Sequence, residues 1–179
     1  MLVAGLLMAA GSANVQAAPR PASAAFKPTI DDWVGVNAAV DNYTLGLELH
    51  DMAVFDKAFW PEAMIIAKPE PGLSFARPYR DEAGPPKAPP PGLHLPPGAA
   101  APGMNAAGTA NPPWHLALNH HFEFQSAARA THYGYFVSVY PDLATKKSVV
   151  GLPGHYEDVL EKRHGEWRIL QRTTVIGVK

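Results

Sequence analysis

Apolar positions recur at helical spacing early in the chain and at strand spacing later. Trp33, Val36, Val40, Tyr43 and Leu47 fall three or four residues apart, which predicts a helix with one apolar face through about Leu49. Thr29 or Asp31 stands where a side-chain oxygen can cap the free N–H groups of its first turn. Asp51 heads a second, short helix in which Phe55 and Phe59 share a face before Pro61. Ala63 to Ala67 reads as a buried strand. Then the period changes to two. The runs His115 to Phe124, Ala130 to Tyr140, Gly154 to Arg163 and Glu166 to Val178 predict four strands. They break at Gln125-Ser126, at a loop from Pro141 to Pro153 and at His164-Gly165. Helices followed by consecutive antiparallel strands give an α+β fold. A curved sheet wrapped on the helices makes a cone-shaped half-barrel with room for a pocket.

Composition changes this picture in one place. Of the 19 prolines in 179 residues, 13 lie between Lys68 and Pro113, with 6 of the 15 glycines. Proline stops helices and removes ladder donors, so residues 68–113 read as an irregular Pro/Gly/Ala-rich insertion. It is either a plain disordered insertion or a lid or subunit-wrapping arm. The chain otherwise forms a single domain over residues 29–179. At the N-terminus, the apolar run Leu2 to Ala10 ends in small residues, with a cleavage point after Ala17. Residues 1–17 therefore read as a signal peptide for secretion or the periplasm, although no Lys or Arg precedes the run. The run falls short of the roughly 20 apolar residues of a membrane span. Residues 18–28 read as a linker.

Charge and motifs exclude several function classes. A formal charge of −1 with 17% charged residues gives no basic footprint for nucleic acid. With no cysteine there is no thiolate nucleophile and no Cys-based metal site. His120 and His121 are adjacent and point to opposite faces of a strand, and no HxH or HExxH spacing occurs, so no metal site is expected. Nucleotide-binding glycine motifs and GxSxG are missing as well. No cofactor is implied.

The closing string Gly154, Tyr156, Asp158, Leu160, Lys162, Arg163, Gly165, Trp167, Arg168, Ile169 and Arg172 resembles the last hairpin of SnoaL-like proteins. These belong to the nuclear transport factor 2-like superfamily of α+β cones. Tyr43 to Asp51, followed by Phe55, Phe59 and Pro61 to Ala63, is similar to the family's first two helices, and His115-x-x-x-Asn119 to its first long strand. The fold hosts dehydratases, isomerases, cyclases and non-catalytic binders, so it does not by itself assign an activity. In scytalone dehydratase-like and bile-acid dehydratase-like members a tyrosine, an acid five residues later and a histidine meet in the pocket. The resemblance places Tyr43, Glu48 and His115 in those roles, with Glu where Asp is usual.

That set suits proton transfer. A neutral histidine can take a proton from carbon beside a carbonyl while a phenol stabilises the developing enolate oxygen. A carboxylate can fix the imidazole tautomer. Each residue also has a plainer reading: Tyr43 as a core tyrosine, Glu48 about 140° around an ideal helix from it, His115 as a loop residue. Strand alternation puts His115, Asn119 and His121 on one face and His120 on the other. Asn119 and His121 are thus candidate substrate-binding residues, and His132 a second pocket histidine. Arg163, Arg168 and Arg172 read as strand-face ion-pair residues. The expected function is a cofactor-independent dehydratase or isomerase acting on a small hydrophobic or aromatic ring or carbonyl compound. The alternative is a non-catalytic binding or assembly module. The resemblance implies a homodimer or homotrimer.

Overall fold

The computed structural model describes residues 26–49, 51–82, 114–142 and 147–177. The predicted signal peptide, most of the linker and residues 83–113 of the insertion lie outside the described residues. The elements in order are α1 (Ile30–Glu48), α2 (Met52–Ala58), β1 (Phe59–Glu70), β2 (Leu73–Pro78), β3 (Trp114–Ala117), β4 (His121–Ser126), β5 (Arg129–Asp142), β6 (Lys147–Arg163) and β7 (Glu166–Ile176). The strands form one mixed, unclosed sheet in the order β2-β1-β7-β6-β5-β3, with β4 also on β5. Only the β1–β7 contact is parallel among the described pairs. Two helices on a curved sheet give the expected α+β cone.

Capping starts both helices. Thr29 Oγ1 accepts from the Asp32 N–H while the Asp32 carboxylate accepts from the Thr29 N–H, a reciprocal box. The same carboxylate accepts from Lys162 Nζ at 2.7 Å and Trp167 Nε1 at 3.0 Å, tying α1 to the β6–β7 hairpin. Asp51 accepts from the N–H groups of Ala53 and Val54 to begin α2. The helices meet at Gly46, where a Cβ would lie 2.5 Å from the Phe55 nitrogen, so the crossing requires glycine.

Several boundaries differ from the sequence reading. Phe59 opens β1 rather than closing α2, and β1 extends well beyond Ala63 to Ala67. The start of the proline-rich stretch is regular: β1 runs through Pro69, and β2 and a 3-10 turn at Tyr79–Asp81 follow. The prolines fit because β2 is an edge strand and Pro69 sits in the register shift between Ala67 and Glu70, where no ladder donor is needed. Likewise β5 and β6 extend their pairing to Asp142 and Lys147, across most of the expected loop. The run His115 to Phe124 is two strands, interrupted at residues 118–120. The β6–β7 turn is where it was read: His164 (φ 53°) and Gly165 (φ 87°) form a tight two-residue hairpin.

The core lies between the helices and the inner sheet face. Val36, Val40, Tyr43, Phe55, Phe59, Ile65, Phe136, Tyr156, Leu160 and Ile169 fill it. No helix among the described residues is long and apolar enough to cross a membrane.

Candidate functional site

One cross-strand row builds the polar part of the interior. Phe122, His132, Asp158, Arg172 and Ile65 are register partners across β4, β5, β6, β7 and β1, so their side chains lie in line on one face. Arg172 is fully buried and donates from Nε and Nη2 to the Asp158 carboxylate at 2.8 and 2.7 Å. His132 Nδ1 lies 2.8 Å from Asp158 Oδ2, the oxygen that also accepts from Arg172 Nη2, and its Nε2 lies 3.0 Å from His120 Nδ1. Burial alone would raise the Asp158 carboxyl, but the Arg172 guanidinium and the His132 contact hold it below its usual range. Asp158 is therefore a carboxylate, which requires His132 to carry its proton on Nδ1. Gly134 leaves space for this ring, since a Cβ there would lie 2.8 Å from His132 Nε2.

The guanidinium packs against two phenol rings that stand edge to face with each other. Its central carbon lies 3.9 Å from the Tyr43 centroid and 4.2 Å from that of Tyr156. Tyr43 also packs on Phe55, Phe59, Tyr156 and, at 6.5 Å between centroids, His115. Around this ring three buried polar atoms have no hydrogen-bond partner among the described residues: His115 Nδ1, Tyr156 Oη and Arg172 Nη1. Buried polar groups are nearly always paired, so three orphans around one ring mark a place for a polar ligand atom.

Their protonation states are fixed by surroundings. Desolvation, followed by the nearby Arg172 charge, pushes the His115 imidazole down to about 4, so the ring is neutral near pH 7. Burial raises both the Tyr43 and Tyr156 hydroxyls, which stay protonated. Arg172 remains charged: burial opposes this, but the Asp158 carboxylate outweighs it. The interior thus offers a neutral imidazole, two phenol donors and a guanidinium edge.

The sequence-predicted residues divide into two groups. Tyr43, His115 and His132 lie in or beside this interior. Glu48 reaches β3, but its Oε1 accepts from the His115 main-chain N–H at 3.1 Å, positioning the strand rather than the ring. Asn119 is exposed, and its Oδ1 accepts from the Tyr135 N–H at 3.0 Å, which replaces a ladder bond at the strand break. His121 is exposed beside Glu123 in a groove of about 470 Å³ on the outer sheet face, with Tyr133 and Glu157. The break at residues 118–120 reverses the alternation expected along a single strand, so His120, not His121, turns towards His132.

The sequence reading does not single out Tyr156, Asp158 or His120 as site residues, and it gives Arg172 as a strand-face ion-pair residue without its buried place in the interior. A signal existed for Asp158: it alternates with Tyr156 and Leu160, which places an acid on an apolar strand face. Arg172 gave none. Alternation from Trp167 and Ile169 points it outward, and the register shift opposite Val159/Leu160 turns it in. Among the described residues no group of three or more His, Asp or Glu could hold a metal ion.

No protein-family model and no curated protein matches the sequence. Solved structures do match in fold. A structure of Rv3472 from Mycobacterium tuberculosis, of unknown function, superposes with a TM-score of 0.58 at 18% identity, covering 86% of this chain and 78% of that one. Hexachlorocyclohexane dehydrochlorinase LinA-type3 from Novosphingobium barchaimii gives 0.54 at 13% identity, covering 82% and 86%. A nuclear transport factor 2-like protein of unknown function from Shewanella baltica gives 0.54 at 10% identity, covering 86% and 100%. The chain thus shares the α+β cone fold of these solved structures, one of which is described as nuclear transport factor 2-like.

Proposed function

We propose that the cone carries out cofactor-independent proton transfer, of the dehydratase or isomerase kind, on a small ring or carbonyl compound. The observation that carries this reading is the set of three unpartnered buried atoms around Tyr43: His115 Nδ1, Tyr156 Oη and Arg172 Nη1. A neutral His115 is the base that removes a proton from carbon. Negative charge then develops on the substrate oxygen, where Tyr156, Arg172 and the Tyr43 hydroxyl supply positive dipoles and charge. The base becomes cationic as the oxygen becomes anionic, so the pair created by the reaction is neutral overall. The similarity in fold to a dehydrochlorinase is consistent with an elimination, in which the base takes the proton, the C–H electrons form the double bond and the leaving group departs with its own electron pair. His132 supports the site through Asp158, and Glu48 holds the strand that carries His115.

A second reading is a non-catalytic ligand binder. It is favoured by one detail: the Glu48 carboxylate contacts the His115 main chain and leaves the ring without a carboxylate to orient it. The two readings separate in a panel of cyclic ketones incubated in deuterated buffer and followed by NMR. Proton transfer predicts enzyme-dependent exchange at carbon beside the carbonyl, reduced about 100-fold or more in His115→Gln. Ligand-induced shifts without exchange, or exchange equal in wild type and His115→Gln, would establish the binder instead.

A further inference from the structure

The Arg172 and Asp158 charges cancel within their ion pair, and His115 beside them is neutral, so the pair itself offers no excess positive charge. A carboxylate placed on Arg172 Nη1 would add an uncompensated buried negative charge, which is strongly unfavourable. The hydrogen-bond chain behind Asp158 provides the compensation. His132 has its proton on Nδ1, facing Asp158, so its Nε2 accepts from His120 Nδ1–H across 3.0 Å. His120 Nε2 is then a bare lone pair, and it lies 3.9 Å from the exposed Asp41 carboxylate. That outer nitrogen is open to solvent beside Asp41, and it is where a proton can enter the chain of hydrogen bonds. One proton fits there, forming an ion pair with Asp41 or passing inward to pair His132 with Asp158. A second does not fit, because it would set two cationic imidazoles 3.0 Å apart.

We infer that the cone binds a monoanionic, carboxylate-type ligand on the Nη1 edge of Arg172, together with one proton held between His120 and His132. This rests on the cone interior being the ligand site, as in the proposed function, but not on any reaction there. The groups facing the histidine pair are Asp41 from α1, Asp158 from β6 and Arg172 from β7, while β4 presents the apolar ring of Phe122. In the unliganded protein, desolvation and the His132 and Arg172 neighbours hold His120 below its ordinary value, against the opposing pull of Asp41. A proton on the pair draws the Asp158 charge towards His132 and leaves Arg172 less neutralised. An anion on Arg172 favours the proton in return, since linkage is reciprocal. The sign follows: anions bind more tightly as pH falls, and neutral ligands of the same shape do not respond.

The test uses benzoate and its neutral isostere benzamide, measured by calorimetry on the full chain in buffers of different ionisation enthalpy. Between about pH 8 and pH 6, benzoate affinity is expected to rise up to about tenfold per pH unit, with uptake of one proton per ligand. Benzamide affinity stays level. His120→Asn retains an N–H donor towards His132 but cannot take a proton, so the benzoate slope and proton uptake disappear while benzamide binding persists. His120 is half-exposed, which makes this variant safe for folding. A slope that survives in His120→Asn and vanishes in His115→Gln would assign the proton to His115 and overturn the inference. Benzamide binding with no benzoate binding at any pH would overturn it too, while leaving proton transfer on neutral carbonyl compounds intact. Failure of both ligands, with ketone exchange also absent, would remove the shared reading of the cone.

Discussion

A tyrosine hydroxyl buried without a partner loses its water and gains nothing in the folded state, a cost of about 1–3 kcal/mol. Tyr156 Oη comes near this position, since its polar neighbour is the Tyr43 hydroxyl and no hydrogen bond of good geometry forms, and its ring is stacked on Phe136 with 4.4 Å between centroids. Tyr156→Phe keeps the stack and removes the orphan. Its expected outcome is unchanged or increased stability in urea denaturation, with proton transfer to a responsive ketone reduced about 10- to 100-fold. A fall in both would mean that the hydroxyl is structural. His115 makes a related statement through pH. Its folded value is about 4 against 6.5 for the free imidazole, so between these values the unfolded chain binds more protons than the native one. The contribution of His115 to stability is complete above about pH 6.5 and is lost as pH falls towards 4, by up to about 3 kcal/mol. His115→Gln cannot take this proton. Wild type should therefore lose more unfolding free energy than the variant when urea titrations at about pH 7.5 and pH 4.5 are compared.

Among the elements, α1 depends most on a single side chain. Asp32 caps its first turn and also receives Lys162 and Trp167 from the β6–β7 hairpin. Thr29→Ala removes half of the capping box and should cost about 1 kcal/mol. Asp32→Ala removes the box and strands a buried indole N–H, so about 2–4 kcal/mol is expected in the same chemical denaturation. Equal costs would show that the hairpin contacts contribute nothing. The existence of α1 was legible because capping and a 3.6 period act locally, and both appear in adjacent residues. Sheet faces were legible only where strands are uninterrupted. Phe122 and Phe124 point inward, which sends His121 and Glu123 outward, yet counting from His115 across the break gives the opposite result. Leu116 and Leu118 are apolar but exposed, and so gave no warning. In β7, too, the residue after the register shift cannot be assigned to a face without its partner strand. Breaks of this kind are settled by long-range pairing, here with β5 and β6, which no local pattern records. The aromatic and histidine members of the site were therefore within reach of the sequence, while the guanidinium was not.

Across the whole molecule, these residues share one charged centre. The Asp158–Arg172 pair sits at the middle of a five-strand row, against the Tyr43 and Tyr156 rings, and is buried from water. Such pairs seldom add net stability, because desolvating both ions offsets most of their attraction. Removing one partner is different, since it leaves the other charge buried alone. Asp158→Leu should accordingly cost about 3–5 kcal/mol and Arg172→Met a similar amount. The double variant Asp158→Leu with Arg172→Met has no buried charge left, and Met can lie against the Tyr43 and Tyr156 rings. It should recover most of the loss, giving a coupling of more than about 2 kcal/mol in a double-mutant cycle. His132 loses its carboxylate in that background, which limits the recovery without removing it. If the cone retains its charge for ligands rather than for folding, the recovered protein will be stable but inert. It should show near-native urea unfolding together with loss of both ketone exchange and benzoate binding. A double variant as unstable as the singles would instead show that the pair holds β6 and β7 together and that its nearness to His115 and Tyr156 is incidental.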